Sequence, residues 1–378
     1  MANELEQKAL DLFGTGASVR AVAEQLGMTF YQARELRKRS ALGEPDVERP
    51  AVRFDVRHPL VRTALAKELR KGFGSVQRLA HKYSCTVQQM TESIGHLEEC
   101  GYNVVWDGPC VCIAKHAEPT TAQFVDQSPL TGSIRTFGII SDTHLCSKFE
   151  RLDVVEAAYN AFVKAGIRSV YHAGNIVDGE CRFNHYYLKA HGITDQATYC
   201  LDHYPQRSGI TTYFITADDH EGWWQQREGL DFGRHLQNEA RQIGRKDLVH
   251  LGYMEADVEL RSRGGNAVMK IIHPGKGTAY AKSYQPQRMV ESFQGGEKPS
   301  ILIVGHYHKM NADICRNVRI FQAACAQDQT VWMRKHSIGA DVGYWIVTVQ
   351  QDKHGAVRYA HGAFENFYDR GYHVTRTA

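Results

Sequence analysis

The sequence predicts an α/β protein with small all-α modules ahead of it, and three observations carry that reading. From Arg135 onward, short apolar strand-like runs alternate with amphipathic helical stretches and then give way to a run of strands, the pattern of an α/β or mixed layered domain. Residues 4–40 have helical periodicity and no strand-like alternation. Between 57 and 116, three helical stretches precede a hairpin signal.

Taken in order, Leu5, Ala9 and Phe13 can share one helical face, and Gly14-Thr15-Gly16 breaks it. Ser18 to Gly27 follows as a second short helix, then Met28-Thr29, then Phe30 through Arg39. A short helix, a Gly-containing turn and a second helix resemble a helix-turn-helix, which we assign to 1–42. Its second helix would present Arg34, Arg37, Lys38 and Arg39, a basic set suited to phosphate contact or groove entry. A solvated basic face on a docking or dimerisation module is the plainer reading of the same residues. Pro, Gly and charge make 43–56 a linker. In 57–116, helices are expected at Pro59–Lys71, Ser75–Tyr83 and Thr86–Cys100. A hairpin follows, turning at Asp107-Gly108 between Tyr102–Trp106 and Cys110–Ile113. Three helices and a hairpin resemble a winged helix, but Arg78 and Lys82 face Glu92, Glu98 and Glu99, so a spacer or partner module fits equally. Residues 117–133 read as a second linker, and 134–378 as the large domain.

Within that domain, strands are expected at 135–141, 168–173, 211–216, 248–251, 256–261, 267–273, 300–304, 318–322 and 343–350. Helices are expected near 152–165, 234–243 and 281–293. The stretch from Gly179 to Gly209, rich in Tyr, His and Arg, reads as an unusually long connection of the kind that shapes substrate choice.

Composition narrows the class without naming a function. The chain has 378 residues, 43% hydrophobic and 23% charged, enough for two or three domains with their own cores. No run approaches the roughly 18 apolar residues of a membrane helix, so no membrane partner is expected. The acidic, amphipathic start lacks the form of a secretory signal. Nine scattered cysteines, an odd number, read as reduced thiols in a cytoplasmic protein, and the domain style would suit a bacterium or phage-infected cell. Cys110 and Cys112 supply only half of a zinc site. The net charge of +3 decides nothing about nucleic acid, because local clustering is what matters.

The chemistry lies in five blocks, each at the C-terminal end of an apolar strand, where open α/β sheets build their sites. They are Ser141-Asp142-Thr143-His144, Gly174-Asn175-Ile176-Val177-Asp178-Gly179, Ala217-Asp218-Asp219-His220-Glu221-Gly222, His273-Pro274-Gly275 and Gly305-His306-Tyr307-His308. A lone Asp-x-His is common by chance; five such blocks in this order are not.

Together they resemble the calcineurin-like metallophosphoesterase superfamily, whose pattern is D-x-H, G-D-x-x-D, G-N-H-[DE], a lone His and G-H-x-H, over about 135–350. The resemblance implies a layered α-β-β-α sandwich holding two divalent metal ions. It implies one metal on Asp142, His144 and His308 and a second on Asp219, His273 and His306, with position 175 bridging. His220 would be the catalytic histidine, a general acid toward the leaving oxygen, and Asp178 would orient it. Two positions depart from the pattern: Asn175 replaces the bridging Asp, and Asp219 replaces the Asn of G-N-H, with Asp218 in place of its Gly. One carboxylate is lost and one gained. We read this as a compensated swap in which Asp219 bridges and Asn175 ligates through its amide oxygen, a weak bridge by itself. The rival account is that Asn175 disables one site.

A His/carboxylate set without thiolate suits manganese, iron, zinc or cobalt, and resemblance to nucleolytic members favours Mn2+. The ligand imidazoles must be neutral, so metal binding should fail as pH falls below about 6. His172, His185, His191, His203, His250 and His336 stand outside any motif and read as surface or packed imidazoles. Trp223 and Trp224 could stack on a base or anchor the core. Arg182, Asn184 and Arg227 could reach a phosphate, and Lys276-Gly277-Thr278 could approach an anion. The expectation is a metal-dependent phosphodiesterase, a DNA nuclease targeted by its N-terminal modules, with a symmetric homo-oligomer natural if the helix-turn-helix reads a palindrome. The alternatives are a small-nucleotide phosphodiesterase, a DNA-binding regulator with a dead phosphoesterase domain and, last, a phosphomonoesterase.

Overall fold

Buried strands at the heart of the chain are continuously apolar, and edge strands alternate, which is what two covered sheets demand. In the computed structural model β5 (Ile134–Ile140), β6 (Ser169–His172) and β7 (Thr211–Thr216) pair in parallel. Strand β8 (Leu248–Tyr253) extends them on one side; β14 (Val342–Gln351) and β15 (Val357–Phe367) extend them on the other. This six-stranded sheet has the order β15-β14-β5-β6-β7-β8. A second six-stranded sheet, order β12-β13-β11-β10-β9-β4, contains β9 (Glu255–Ser262), β10 (Gly265–Ile272), β11 (Ile301–Val304), β12 (Asn311–Cys315), β13 (Val318–Gln322) and the short β4 (Gln123–Val125). Both sheets are mixed: β10, β11 and β13 run parallel, whereas β9 pairs antiparallel with β10 but parallel with β4, and β12 pairs antiparallel with β13.

The two sheets bury one core between them, including Phe137, Ile139, Tyr171, Ile215, Val258, Met269, Ile271, Ile303 and Trp345. A second core lies under the helices on the outer face of the first sheet, with Val154, Ala158, Phe162, Leu201, Leu236 and Phe214. A third holds the helix Tyr284–Ser292 on the second sheet through Val290 against Leu302, Val304, Val318 and Ile320. Helix, sheet, sheet, helix is therefore the order of layers, as expected from the sequence.

The description covers residues 4–14, 17, 19–28, 33, 55, 57–120, 122–126, 130, 133–275, 277, 279–368 and 370. The chain divides into two units, Met1–Asp55 and Val56–Ala378. In the first, α1 (Glu4–Gly14) and α2 (Val19–Leu26) enclose Ala9 and Val22 against Leu12, Phe13, Ala17, Leu26 and Met28. Arg34, Arg37, Lys38 and Arg39 lie outside the described residues.

In the second unit, residues 57–116 follow the order α3 (Pro59–Leu69), β1 (Gly74–Ser75), α4 (Val76–Lys82), α5 (Val87–Glu99), β2 (Val104–Asp107) and β3 (Cys110–Ile113). The three strands form an antiparallel sheet ordered β1-β3-β2. Thr86 starts α5 with a capping box: its hydroxyl accepts from Gln89 N while the Gln89 side chain accepts from Thr86 N. This part meets the large domain through backbone: Asn103 N donates to Gly229 O at 2.7 Å and Asp231 N to Gly101 O at 2.9 Å.

The remaining helices are α6 (Leu152–Lys164), α7 (Gly192–His203), α8 (Gly222–Glu228), α9 (Phe232–Gln242), α10 (Tyr284–Ser292) and α11 (Val331–Lys335). Helix α7 corrects the reading of 179–209 as one long loop. Its buried face is Gln196, Ala197, Cys200 and Leu201, too polar and too small for its periodicity to register in the sequence. Strands β12 and β15 were also not anticipated. Their residues alternate between exposed and half-buried, without the apolar signature of the central strands. The stretch read as a linker contributes β4, and Asp126 just after it forms a buried ion pair with Arg135 at 3.0 Å.

Candidate metal centre

The five blocks come together because parallel neighbours end at the same edge. Strands β5, β6 and β7 deliver Asp142, Asn175 and Asp219 from one sheet; β10 and β11 deliver His273 and His306 from the other. All but the His273 block then turn sharply. Asp142, His144, Asn175, His220, His306 and His308 all have positive φ, between 42° and 77°, a region that non-glycine residues enter at a cost of about 1–3 kcal/mol. Six strained residues in one place mean that the surrounding structure holds them there. Gly174, at φ 97°, sits where a Cβ would strike the His273 ring, so glycine permits that imidazole's approach.

Two donor sets result. In the first, Asp142, His144 and His308 are buried. His144 Nε2 and His308 Nε2 face each other at 3.1 Å, and His308 Nε2 lies 3.4 Å from Asp142 Oδ1. In the second, Asp219 lies between His273 Nε2 at 3.5 Å and His306 Nδ1 at 3.3 Å. Converging nitrogens and carboxylate oxygens with no thiolate form the donor set expected of a divalent cation of the Mn, Fe, Co or Zn kind. The sets are adjacent: His306 N donates to both Asp142 oxygens at 3.1 Å. The arrangement is consistent with a dinuclear metal site.

Asn175 lies against the second set. In its hydrogen-bonding orientation, Nδ2 donates to Asp219 Oδ1 at 3.0 Å and Glu221 Oε2 at 3.2 Å, while Oδ1 accepts from His273 Nε2 at 3.2 Å. Glu221 was not singled out from the sequence, although it directly follows His220. It is fully buried, accepts from Asn175 N at 2.8 Å and Ala217 N at 3.2 Å, and burial pushes its carboxyl up to about 8. Only the fold reveals this, because nothing in the local sequence signals that burial.

Asp178 serves two rings. Its Oδ1 is 2.9 Å from His144 Nδ1 and 3.4 Å from His220 Nδ1, and its backbone oxygen lies 3.0 Å from His220 Nδ1. The sequence reading gave it only to His220; the nearer partner is His144. Burial opposes ionisation of Asp178, but the two imidazoles outweigh it and hold the carboxyl at about 2. Burial likewise opposes charge on His220, yet Asp178 and Asp219 lift it to about 9. Burial dominates at His144 and lowers it to about 4, leaving a neutral ring suited to ligation.

Of the other residues weighed, Trp224 is a core anchor, buried and stacked on Phe232 at 5.5 Å. Trp223 lies 4.9 Å from the His220 ring and 5.4 Å from that of Phe183. The Asn184 amide is spent on Asp178 O, Asp178 Oδ2 and Gly179 O, so it braces Asp178 and is not free for a phosphate. Arg182 and Arg227 are exposed. His172 is packed, with Nε2 3.0 Å from Thr143 Oγ1. Lys276 and Thr278 lie outside the described residues.

No family model matches the chain, and no curated protein matches it. Among solved structures, it is similar to a novel archaeal phosphodiesterase at 14% identity and a TM-score of 0.31, over 61% of this chain and 99% of that one. A predicted phosphoesterase from Streptococcus pneumoniae TIGR4 gives 12% identity and 0.28, over 61% and 98%. A putative 5'-nucleotidase from Staphylococcus aureus gives 11% and 0.35, over 65% of this chain and 58% of that one. Likenesses this low assign neither family nor activity to this chain. No helix among the described residues is long and apolar enough to cross a membrane.

Proposed function

We propose that this protein is a metal-dependent phosphodiesterase, and that its substrate is DNA. The observation that carries the reaction is the adjacency of Asp142/His144/His308 and Asp219/His273/His306 beside an imidazole, His220, that lies outside both sets and 4.4 Å from the His144 ring. Two divalent cations held by those residues and Asn175 would supply Lewis acidity at the phosphoryl oxygens and lower the pKa of the attacking water. Mn2+ is our choice among Mn, Fe, Zn and Co.

The chain's own groups supply the rest. With Nδ1 directed at Asp178, His220 offers Nε2 to the leaving oxygen, and the Asp178 carboxylate favours the protonated ring. Asp178 positions both that acid and His144. Asn184 braces Asp178 in turn, so a chain of hydrogen bonds fixes the acid's direction. Trp223 and Phe183 form an aromatic wall beside His220 against which a base or sugar could rest.

The DNA assignment is supported by the helix-turn-helix resemblance of 1–42, with Arg34, Arg37, Lys38 and Arg39, and by the winged-helix-like order of elements in 57–116. The test is an Mn2+-dependent cleavage assay on single- and double-stranded DNA, with a chromogenic bis-phosphodiester in parallel and His220→Ala as control. Cleavage of DNA that drops at least about 10²-fold in His220→Ala supports the proposal. Turnover of the small diester alone moves the substrate to nucleotides. Silence on both substrates, with DNA affinity retained, makes the protein a binder with a dead domain.

A further inference from the structure

His185 and His191 were read from the sequence as surface or packed imidazoles outside any motif, yet the fold brings their ligand atoms and that of Glu180 together within 4.8 Å of one another. His185 Nδ1 and His191 Nδ1 address the same oxygen, Glu180 Oε1, at 2.8 and 3.1 Å, and the rings stand 4.5 Å apart. The other oxygen, Oε2, accepts from Gly192 N at 2.6 Å, which fixes the plane of the carboxylate before any ligand arrives. Ion pairing accounts poorly for this. Both rings are about half exposed, and exposed ion pairs of this kind contribute little stability. Two rings on one oxygen would also need both Nδ1 atoms to carry protons. A cation within the triangle needs no proton on either Nδ1, and tetrahedral bonds of about 2.0–2.1 Å would set ligand atoms roughly 3.3 Å apart, a few tenths of an ångström beyond the His–Glu separations of 2.8 and 3.1 Å.

We propose that Glu180, His185 and His191 form a further metal site, separate from the two donor sets above, for a borderline divalent cation such as Zn2+. Two imidazoles and one carboxylate suit zinc, and three protein ligands leave a position open to water or to a substrate group. The location gives the site a consequence. Its ligands come from both ends of the 180–191 segment and from the short 3-10 turn His185–Tyr187 within it. That segment also carries Asn184, which braces Asp178, and Phe183, which meets Trp223. A cation clipping 180 to 185 and 191 therefore holds both in place. The binding claim stands without the proposed reaction; the positioning of Asp178 for catalysis rests on it.

The experiment counts metal. The full chain is stripped with chelator, dialysed to equilibrium against Zn2+, and its bound equivalents are measured for wild type, His185→Ala/His191→Ala and His144→Ala/His308→Ala. Glu180→Gln, which keeps the side chain's size, is measured alongside in case the double variant misfolds. We expect the loop variants to lose one equivalent and the His144/His308 variant to lose its equivalents independently. Loop variants that retain the wild-type count overturn this site, whatever the other variant does. A His144/His308 variant that keeps its full count, while the loop variants lose one, overturns the dinuclear reading and leaves this one standing.

Discussion

Asn175 is where residue-scale chemistry says most about the site. Its amide nitrogen lies between two carboxylates, Asp219 at 3.0 Å and the buried Glu221 at 3.2 Å. A carboxylate there would replace the amide's hydrogen bond to Asp219 with a like-charge contact in a desolvated place. This favours the compensated swap, with Asp219 carrying the charge that position 175 lacks. Asn175→Asp is therefore expected to lower metal-dependent turnover about 10-fold or more and to destabilise the metal-free protein; a strong rise in activity on metal titration would count against the swap. Arg135 illustrates the same physics away from the site. It is paired with Asp126 at 3.0 Å, with side-chain exposures of 2% and 0%, and it also donates to Arg261 O at 2.7 Å. Arg135→Ala leaves a buried carboxylate uncompensated and should cost about 3–5 kcal/mol in urea unfolding; a loss below about 1 kcal/mol would mean that water reaches Asp126.

At the scale of elements, the distance between sheet and helix is set by what is missing. Gly138 in β5 lies beneath Phe162 of α6, and a Cβ there would stand 2.7 Å from Phe162 Cζ and 2.8 Å from Cε1. Phe162 is fully buried and also contacts Tyr159 and Tyr344, so its ring has nowhere to go. Gly138→Ala is expected to destabilise by about 1–3 kcal/mol through overpacking. Phe162→Leu added to it should cost less than Phe162→Leu alone in a double-mutant cycle; additive losses would place the strain elsewhere. The strand matters to function because its last residues lead directly to Asp142 and His144.

For the whole molecule, the edge of two sheets holds several strained residues and buried carboxylates together, and bound cations should relieve that repulsion. On the proposed reading, Mn2+ at about 100 times its Kd stabilises the native state by about 2.7 kcal/mol per site. Thermal unfolding with and without chelator reads this directly. A melting temperature that rises with Mn2+ in wild type, and less in Asp219→Ala, is expected; identical curves would remove the case for metal at the sheet edge.

How much was legible follows from where the information lies. Strands such as ILIV at Ile301–Val304 and TTYFIT at Thr211–Thr216 could be read directly, because a strand covered on both faces must be apolar along its length. The blocks that follow them could be read too, since a sheet with parallel neighbours sends its strand ends to one edge. Helix α7 and strands β12 and β15 could not, because their own side chains are small or polar and carry no continuous apolar signature. The residue types, their order and the strand ends they occupy were thus determined by sequence alone. Which atoms meet was decided only by tertiary structure: that Asp178 serves His144 before His220, that Glu221 is buried against Asn175, and that His185 and His191 close on Glu180. Pairings of that kind depend on distances across loops and between sheets. Local periodicity carries no record of them.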